Sequence, residues 1–246
     1  MRIAYLILLM IILISCDRKK NDLSAQNIID RTIELACNGN CGHATIEFTF
    51  RDRCYISRRD GGSYQFERLT TNEEGITTDI LTNSEFKRYR NDTLVKVTDS
   101  MAMKYSNSVN SVHYFAQLPY GLNDSAVQKE LLGVDIIKDE EYYEIEVSFK
   151  EDGGGDDYQD IFVYWIHKEH FTVDFLAYQY SDSGGGIRFR EAYNERYVNG
   201  IRFADYNNYK PEHLDINLSD LDDLYVDGKL ELLSKIEAES VMVKIN

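Results

Sequence analysis

Residues 187–209 read IRFREAYNERYVNGIRFADYNNY. Two runs rich in aromatic and β-branched residues, 187–197 and 201–209, flank Asn199-Gly200. An Asn-Gly pair readily takes the left-handed backbone of a two-residue turn, so it predicts a tight hairpin. Strands joined by so short a link pair antiparallel, because a parallel crossover needs about a dozen residues or more.

The same pattern extends in both directions. Upstream, residues 142–149, 161–167 and 171–180 are strand-like, and the glycine-rich turns at 152–155 and 183–186 separate runs of this kind. Earlier still, Ile46, Phe48 and Phe50 alternate with Glu47, Thr49 and Arg51, the period of a half-buried strand. Gly61-Gly62 turns the chain into Tyr64 and Phe66. Strands follow at 75–81, 85–90 and 94–97, with Asn91-Asp92 as a second hairpin link. A last strand is expected through 236–245.

Four helical stretches interrupt the strands. Residues 23–37 carry Ala25, Ile28, Ile29, Ile33 and Ala36 on one face, with Ser24 as N-cap and Gly39 as stop. Tyr105, Val109, Val112 and Ala116 share a face of a second helix, which Pro119 ends. A shorter helix is predicted over 125–132, from a Ser125/Gln128 capping box and Gly133 just beyond. Another is predicted near 218–225. Helix, meander, helices, meander is an α+β order. A sheet of about ten strands tends to curl. The expected fold is a large curled antiparallel sheet, an unclosed half-barrel, with a few helices packed on its concave face.

The N-terminus sets the compartment. Residues 3–15 are uncharged, follow Arg2, and end Leu13-Ile14-Ser15-Cys16. A short apolar run behind a basic residue is a secretory signal. The Leu-x-Ser-Cys ending is similar to a bacterial lipobox, in which the cysteine sulfur receives a diacylglycerol and the chain is cut before it. A membrane-spanning anchor needs about 20 apolar residues, and Asp17, Arg18, Lys19 and Lys20 stop this run short. The layout is therefore a signal peptide at 1–15, a lipidated tether at 16–22 and a single domain at 23–246. The expected location is the cell envelope, with the membrane as partner through the lipid on Cys16.

The 246 residues carry a formal charge of −15. That argues against nucleic acid, which requires a basic face, and against adhesion to anionic headgroups. Besides Cys16 there are Cys37, Cys41 and Cys54, an odd number for an oxidising compartment. One disulfide and one free thiol is the simplest outcome. A Cys37/Cys41/His43 zinc site is the weaker alternative, for want of a fourth ligand.

Other candidate chemistry is sparse. Asp152, Asp156, Asp157 and Asp160 sit in one glycine-rich loop and offer oxygens of the kind calcium prefers, without EF-hand spacing. A solvated hairpin loop is the simpler account. His167 and His170 are read as surface or interface side chains, and His113 as a buried histidine satisfied by a neighbour. Arg188 and Arg190 face one side of their strand, and Arg51, Arg53, Arg58 and Arg59 form a second basic group. If the two groups meet, Arg188 and Arg190 are candidates to hold an anionic ligand headgroup. The simpler account is cross-strand pairing with acidic residues. No Gly-x-Ser-x-Gly elbow, phosphate loop or His-Glu-x-x-His motif stands out, and no cofactor is implied.

Four stretches carry a family resemblance: NSVNSVHYFAQLPYGLND at 107–124, DGGGDDYQD at 152–160, GGGIRFREAYNERYVNGIRFADY at 184–206 and LELLSKIEAES at 230–240. With the lipobox, they resemble a family of uncharacterised lipoproteins from Bacteroidota. The expected architecture is similar to that of the periplasmic lipoprotein-carrier (LolA-like) superfamily, whose unclosed barrel holds acyl chains on its concave face. The resemblance implies a membrane-anchored protein that binds an acyl chain or other hydrophobic ligand. An envelope scaffold without a ligand, and an enzyme whose residues converge only in three dimensions, are the alternatives at this point.

Overall fold

The computed structural model describes residues 23–152, 158–181 and 184–246. Cys16, Asp156 and Asp157 lie outside the described residues. Among those residues, no helix is long and apolar enough to cross a membrane.

Helix α1 (Ala25–Cys37) is followed by strands β1 (Ala44–Phe50), β2 (Arg53–Asp60), β3 (Ser63–Asn72), β4 (Gly75–Thr82), β5 (Phe86–Arg90) and β6 (Thr93–Val95). Helix α2 (Asp99–Ala116) and a 3₁₀ turn (Tyr120–Asn123) come next. Strands β7 (Val127–Ile137), β8 (Glu140–Phe149), β9 (Ile161–His167), β10 (Val173–Tyr180), β11 (Gly186–Val198) and β12 (Ile201–Lys210) form the second meander. The chain closes with α3 (Leu221–Val226), β13 (Glu231–Ile236) and β14 (Glu239–Ile245).

Hairpin chemistry sets the strand order. Asn199 (φ 47°) and Gly200 (φ 82°) form the expected turn, and Val198 faces Ile201. Asn91 and Asp92 (φ 45° and 61°) do the same between β5 and β6. Every neighbouring pair is antiparallel. One sheet runs β14-β1-β2-β3-β4-β5-β6 and the other β13-β12-β11-β10-β9-β8-β7.

Only Glu237 and Ala238 separate β13 from β14, so one bent strand edges both sheets. Asp205 on β12 holds the bend. Its carboxylate accepts from the Ala238 backbone N–H at 3.0 Å, from Arg196 Nη2 at 3.1 Å and from Asn194 Nδ2 at 2.6 Å. Arg196 also donates to the Ala238 carbonyl, and Asn199 Nδ2 to the Val243 carbonyl at 2.6 Å. The two sheets thus curl as one half-barrel with free edges at β6 and β7.

Helices α1 and α2 lie in the concavity. Ile28, Ile29 and Ile33 of α1 pack on Tyr164, Ile166 and Leu176 of one sheet, and Ile33 also reaches the cluster of Ile46, Phe48 and Tyr55 in the other. Ser24 caps α1 through its Oγ, and Asn38 (φ 47°) ends it in a left-handed residue. Cys37 and Cys41 form a disulfide across that end, which removes both thiolates from any zinc site. Among the described residues Cys54 is the free cysteine, half-buried on β2. Helix α3 is the helix expected near 218–225, but it does not share the concavity with the others. It covers the convex face, where Leu221 packs against Trp165, Phe175 and Phe189.

The helix expected at 125–132 is instead the start of β7. Its residues are strong helix formers, but they pair with β8 through a Lys138-Asp139 turn with both φ positive. Gly133 lies at a bulge in that edge strand rather than past a helix end. Tertiary pairing overrides local preference here.

Asp222 of α3 is 1 % exposed. Burial first, and then its hydrogen bond to and repulsion from Asp135 of β7, push its carboxyl up to about 7. The folded state therefore holds that proton more tightly than the unfolded chain. Stability from this group rises as pH falls from about 7 toward the ordinary carboxyl range and is lost above it. Asp222→Asn is expected to stabilise the protein near pH 8 by on the order of 2–4 kcal/mol and to do nothing near pH 4. Urea titrations at the two pH values check this; an equal shift at both would show that no shared proton is involved.

Candidate functional site

The concavity is not filled. A cavity of about 240 Å³ remains between α2 and the inner faces of β1, β11, β12 and β13. Phe48 and Phe50 of β1 form one wall, Val112, Phe115 and Ala116 of α2 the roof, and Ala204 and Ile236 the opposite wall. Their placement follows from strand and helix periods: Phe48 and Phe50 are two apart on a strand, and Val112 and Ala116 four apart on a helix.

Two arginines border this apolar space, one from each of the two basic groups in the sequence. Arg51 is exposed and sits over the Phe50 ring. Arg190 is 7 % exposed. Its guanidinium carbon lies 3.8 Å from the centre of the Phe115 ring, and Nη2 donates to the Tyr178 hydroxyl at 2.7 Å. Nε and Nη1 are buried and donate to no group. Asn208, directly across the strand pair from Arg190, has a buried Oδ1 that accepts nothing, while its Nδ2 donates to Ser234 Oγ at 3.3 Å.

Arg188 does not line the cavity. It donates to its neighbour's carbonyl, Ile187 O, at 2.8 Å and to the Tyr180 hydroxyl at 2.7 Å. Arg58 of the second group pairs across strands with Glu67, and two further arginines, Arg196 and Arg202, pair across strands with Asp205 and Glu195, the pairing expected of such residues.

A second, more polar cleft of about 720 Å³ opens on the other side of α2. Arg59 stacks there over Phe66 and Tyr120, and its Nε donates to Gln117 at 3.2 Å. His113 forms the floor. Its Nε2 lies 3.1 Å from the Glu67 carbonyl, and the ring stacks on Phe66 at 4.5 Å. Burial, and to a lesser degree Arg59 and Arg68, hold its pKa down to about 3, so the ring is neutral. This is the satisfied core histidine expected from sequence.

His167 departs from expectation: it is buried rather than on the surface. Its Nδ1 accepts from the backbone N–H of Glu169 and His170 at 3.1 and 3.2 Å, which fixes the β9–β10 turn. His170 is exposed and stacks on it. Asp152 is exposed at the end of β8, and Asp160 precedes β9. Among the described residues, no group of three His, Cys, Asp or Glu side chains is placed to hold a metal ion.

Arg190 is a candidate from sequence, whereas Tyr178, Phe115 and Asn208 around it are not. A signal existed. Ile187 and Phe189 face the convex core while Arg188 and Arg190 face inward, and this strand is covered on both sides. Parity puts both arginines on the covered inner face, and of the two Arg190 is the buried one.

Comparison with known proteins places these features in a family without assigning them a role. The chain belongs to a family of unknown function (DUF6503), whose model matches residues 2–238. A comparison with curated proteins gives no match. Among solved structures, a DUF1329 family protein from Desulfovibrio piger shares the fold at 10 % identity and a TM-score of 0.53, covering 89 % of this chain and 92 % of that one. A LolA superfamily protein from Nitrosomonas europaea aligns at 11 % identity and a TM-score of 0.48, covering 90 % and 92 %.

Proposed function

We propose that this DUF6503 protein is a membrane-tethered binding protein of the cell envelope. Cys16 carries the lipid, and the half-barrel holds an acyl chain or similar apolar ligand beneath α2. The observation that supports this most is the cavity itself: about 240 Å³ left open beneath α2 and walled by Phe48, Phe50, Val112 and Phe115. Ligand pockets are mostly apolar with a few placed polar groups, and this one has that make-up. Its volume is below the usual range of about 300–1,000 Å³, so it suits one chain rather than several.

Native mass spectrometry of the full chain, with extraction of any bound lipid, is the direct test. Ala204→Phe fills the cavity from β12 and is expected to weaken a dansyl-labelled fatty acid at least about tenfold, since an occupied pocket excludes the chain. A protein that carries no lipid and gives no dansyl signal would remove the binding role. Cys16→Ser is expected to move the protein from the membrane to the soluble fraction.

A further inference from the structure

We infer that the ligand of the cavity is a single-chain amphiphile with an oxyanionic head, and that Arg190 reads that head from inside the apolar space. The inference rests on the binding reading above and specifies the chemical class of the ligand.

Arg190 is a permanent cation at 7 % exposure. A buried charge is expensive unless it is paired and hydrogen-bonded. Here the Tyr178 hydroxyl takes one donor, and no carboxylate among the described residues forms an ion pair with it. Nε and Nη1 remain unsatisfied, and the side chain that carries them lines the cavity. The Asn208 Oδ1 acceptor is also unused, so the two cross-strand neighbours do not satisfy each other. Unpaired buried donors in a native fold call for an explanation. A carboxylate or phosphate oxygen supplies both the missing charge and the missing acceptors, with the strength of charge-assisted bonds.

The surroundings limit what can bring that oxyanion. Phe115 lies against the guanidinium, with 3.8 Å between its ring centre and the guanidinium carbon. The rest of the lining is mainly apolar, with Phe48, Phe50, Val112 and Ile236 prominent, and its polar members Ser111, Tyr206, Asn208 and Ser234 are neutral. A free inorganic anion would fill the charge and leave the apolar volume empty. A neutral lipid would fill the volume and leave the charge unpaired. An oxyanion on one aliphatic chain satisfies both. Arg51, exposed at the border of the cavity, gives an incoming anion a second cation.

The test compares decanoate, decyl phosphate and decan-1-ol on the full chain by calorimetry. Decanoate or decyl phosphate is expected to bind about 10- to 100-fold tighter than the alcohol, the range a charge-assisted hydrogen bond spans. Whichever acid leads identifies the head as carboxylate or phosphate. Arg190→Gln is expected to erase the preference, bringing both acids to the affinity of decan-1-ol measured on the same variant. Equal binding of acids and alcohol to the unaltered protein would overturn the oxyanion inference and leave the apolar-ligand reading standing. Failure of all three to bind would overturn both. The comparison on the unaltered protein decides the matter even if the variant does not fold.

Discussion

Replacing Asp205 by alanine is expected to destabilise the protein by about 3–5 kcal/mol, the scale seen when one partner of a buried ion pair is removed. Asp205 is 3 % exposed and collects three donors: the Ala238 N–H, Arg196 and Asn194. Alanine would leave the Ala238 amide and the Arg196 guanidinium without their acceptor at the bend between β13 and β14. Asp205→Asn keeps one carbonyl oxygen there and should lose less. Urea unfolding followed through Trp165, fully buried and the single tryptophan, reads both variants in one experiment. A loss under about 1 kcal/mol, the worth of one ordinary hydrogen bond, would mean that the bent strand is held by packing alone. The consequence reaches the cavity as well. Ile236 and Ala238 form part of its wall, so a loosened bend should weaken ligand binding in parallel with stability.

Asp205 also marks what the sequence does not disclose. It lies within the hairpin that decides the fold, yet nothing in its neighbours distinguishes it from a solvated strand aspartate. Its role arises from Ala238, 33 residues away, which only the closed topology brings near. The hairpins themselves were legible because Asn199-Gly200 and Asn91-Asp92 carry their backbone geometry locally. Strand β7 was not. Gln128, Lys129, Glu130 and Leu131 favour a helix when taken alone, and the pairing partner that overrides them comes from β8. Helix α1 was legible to within two residues from its cap and apolar face.

The candidate site was legible in part for the same reason. Parity put Arg190 on the inner face, and helical spacing put Val112 and Ala116 on one side of α2. That Phe115 would cover the guanidinium, and that Tyr178 would take only one of its donors, depends on how α2 crosses the sheet. The difference between Arg188, held by Tyr180 and Ile187, and Arg190, with two donors unused, is likewise tertiary.

His113 yields the second large effect, and it depends on pH. The unfolded histidine titrates near its ordinary 6.5, whereas the folded one is held down to about 3, chiefly by burial among Phe48, Tyr55 and Phe66. Below 6.5 the unfolded chain binds a proton that the folded protein refuses. Folding from this group is therefore undiminished above 6.5 and weakens by about 1.4 kcal/mol for each pH unit below it, until the folded ring titrates. Carboxyls raised by burial, Asp222 and Asp174 among them, act in the opposite direction and blunt the net slope. The contribution must be isolated by difference. His113→Gln removes the titration and is expected to be destabilising near pH 7.5, where it loses the stacked ring. That deficit should shrink by about 2–3 kcal/mol near pH 4.5, two units below the unfolded pKa. Urea titrations of both proteins at the two pH values measure the change. Parallel curves would mean that protonated His113 is accommodated in the fold, through a water-filled path from the polar cleft it borders. In that event the neutral floor of that cleft would have to be abandoned.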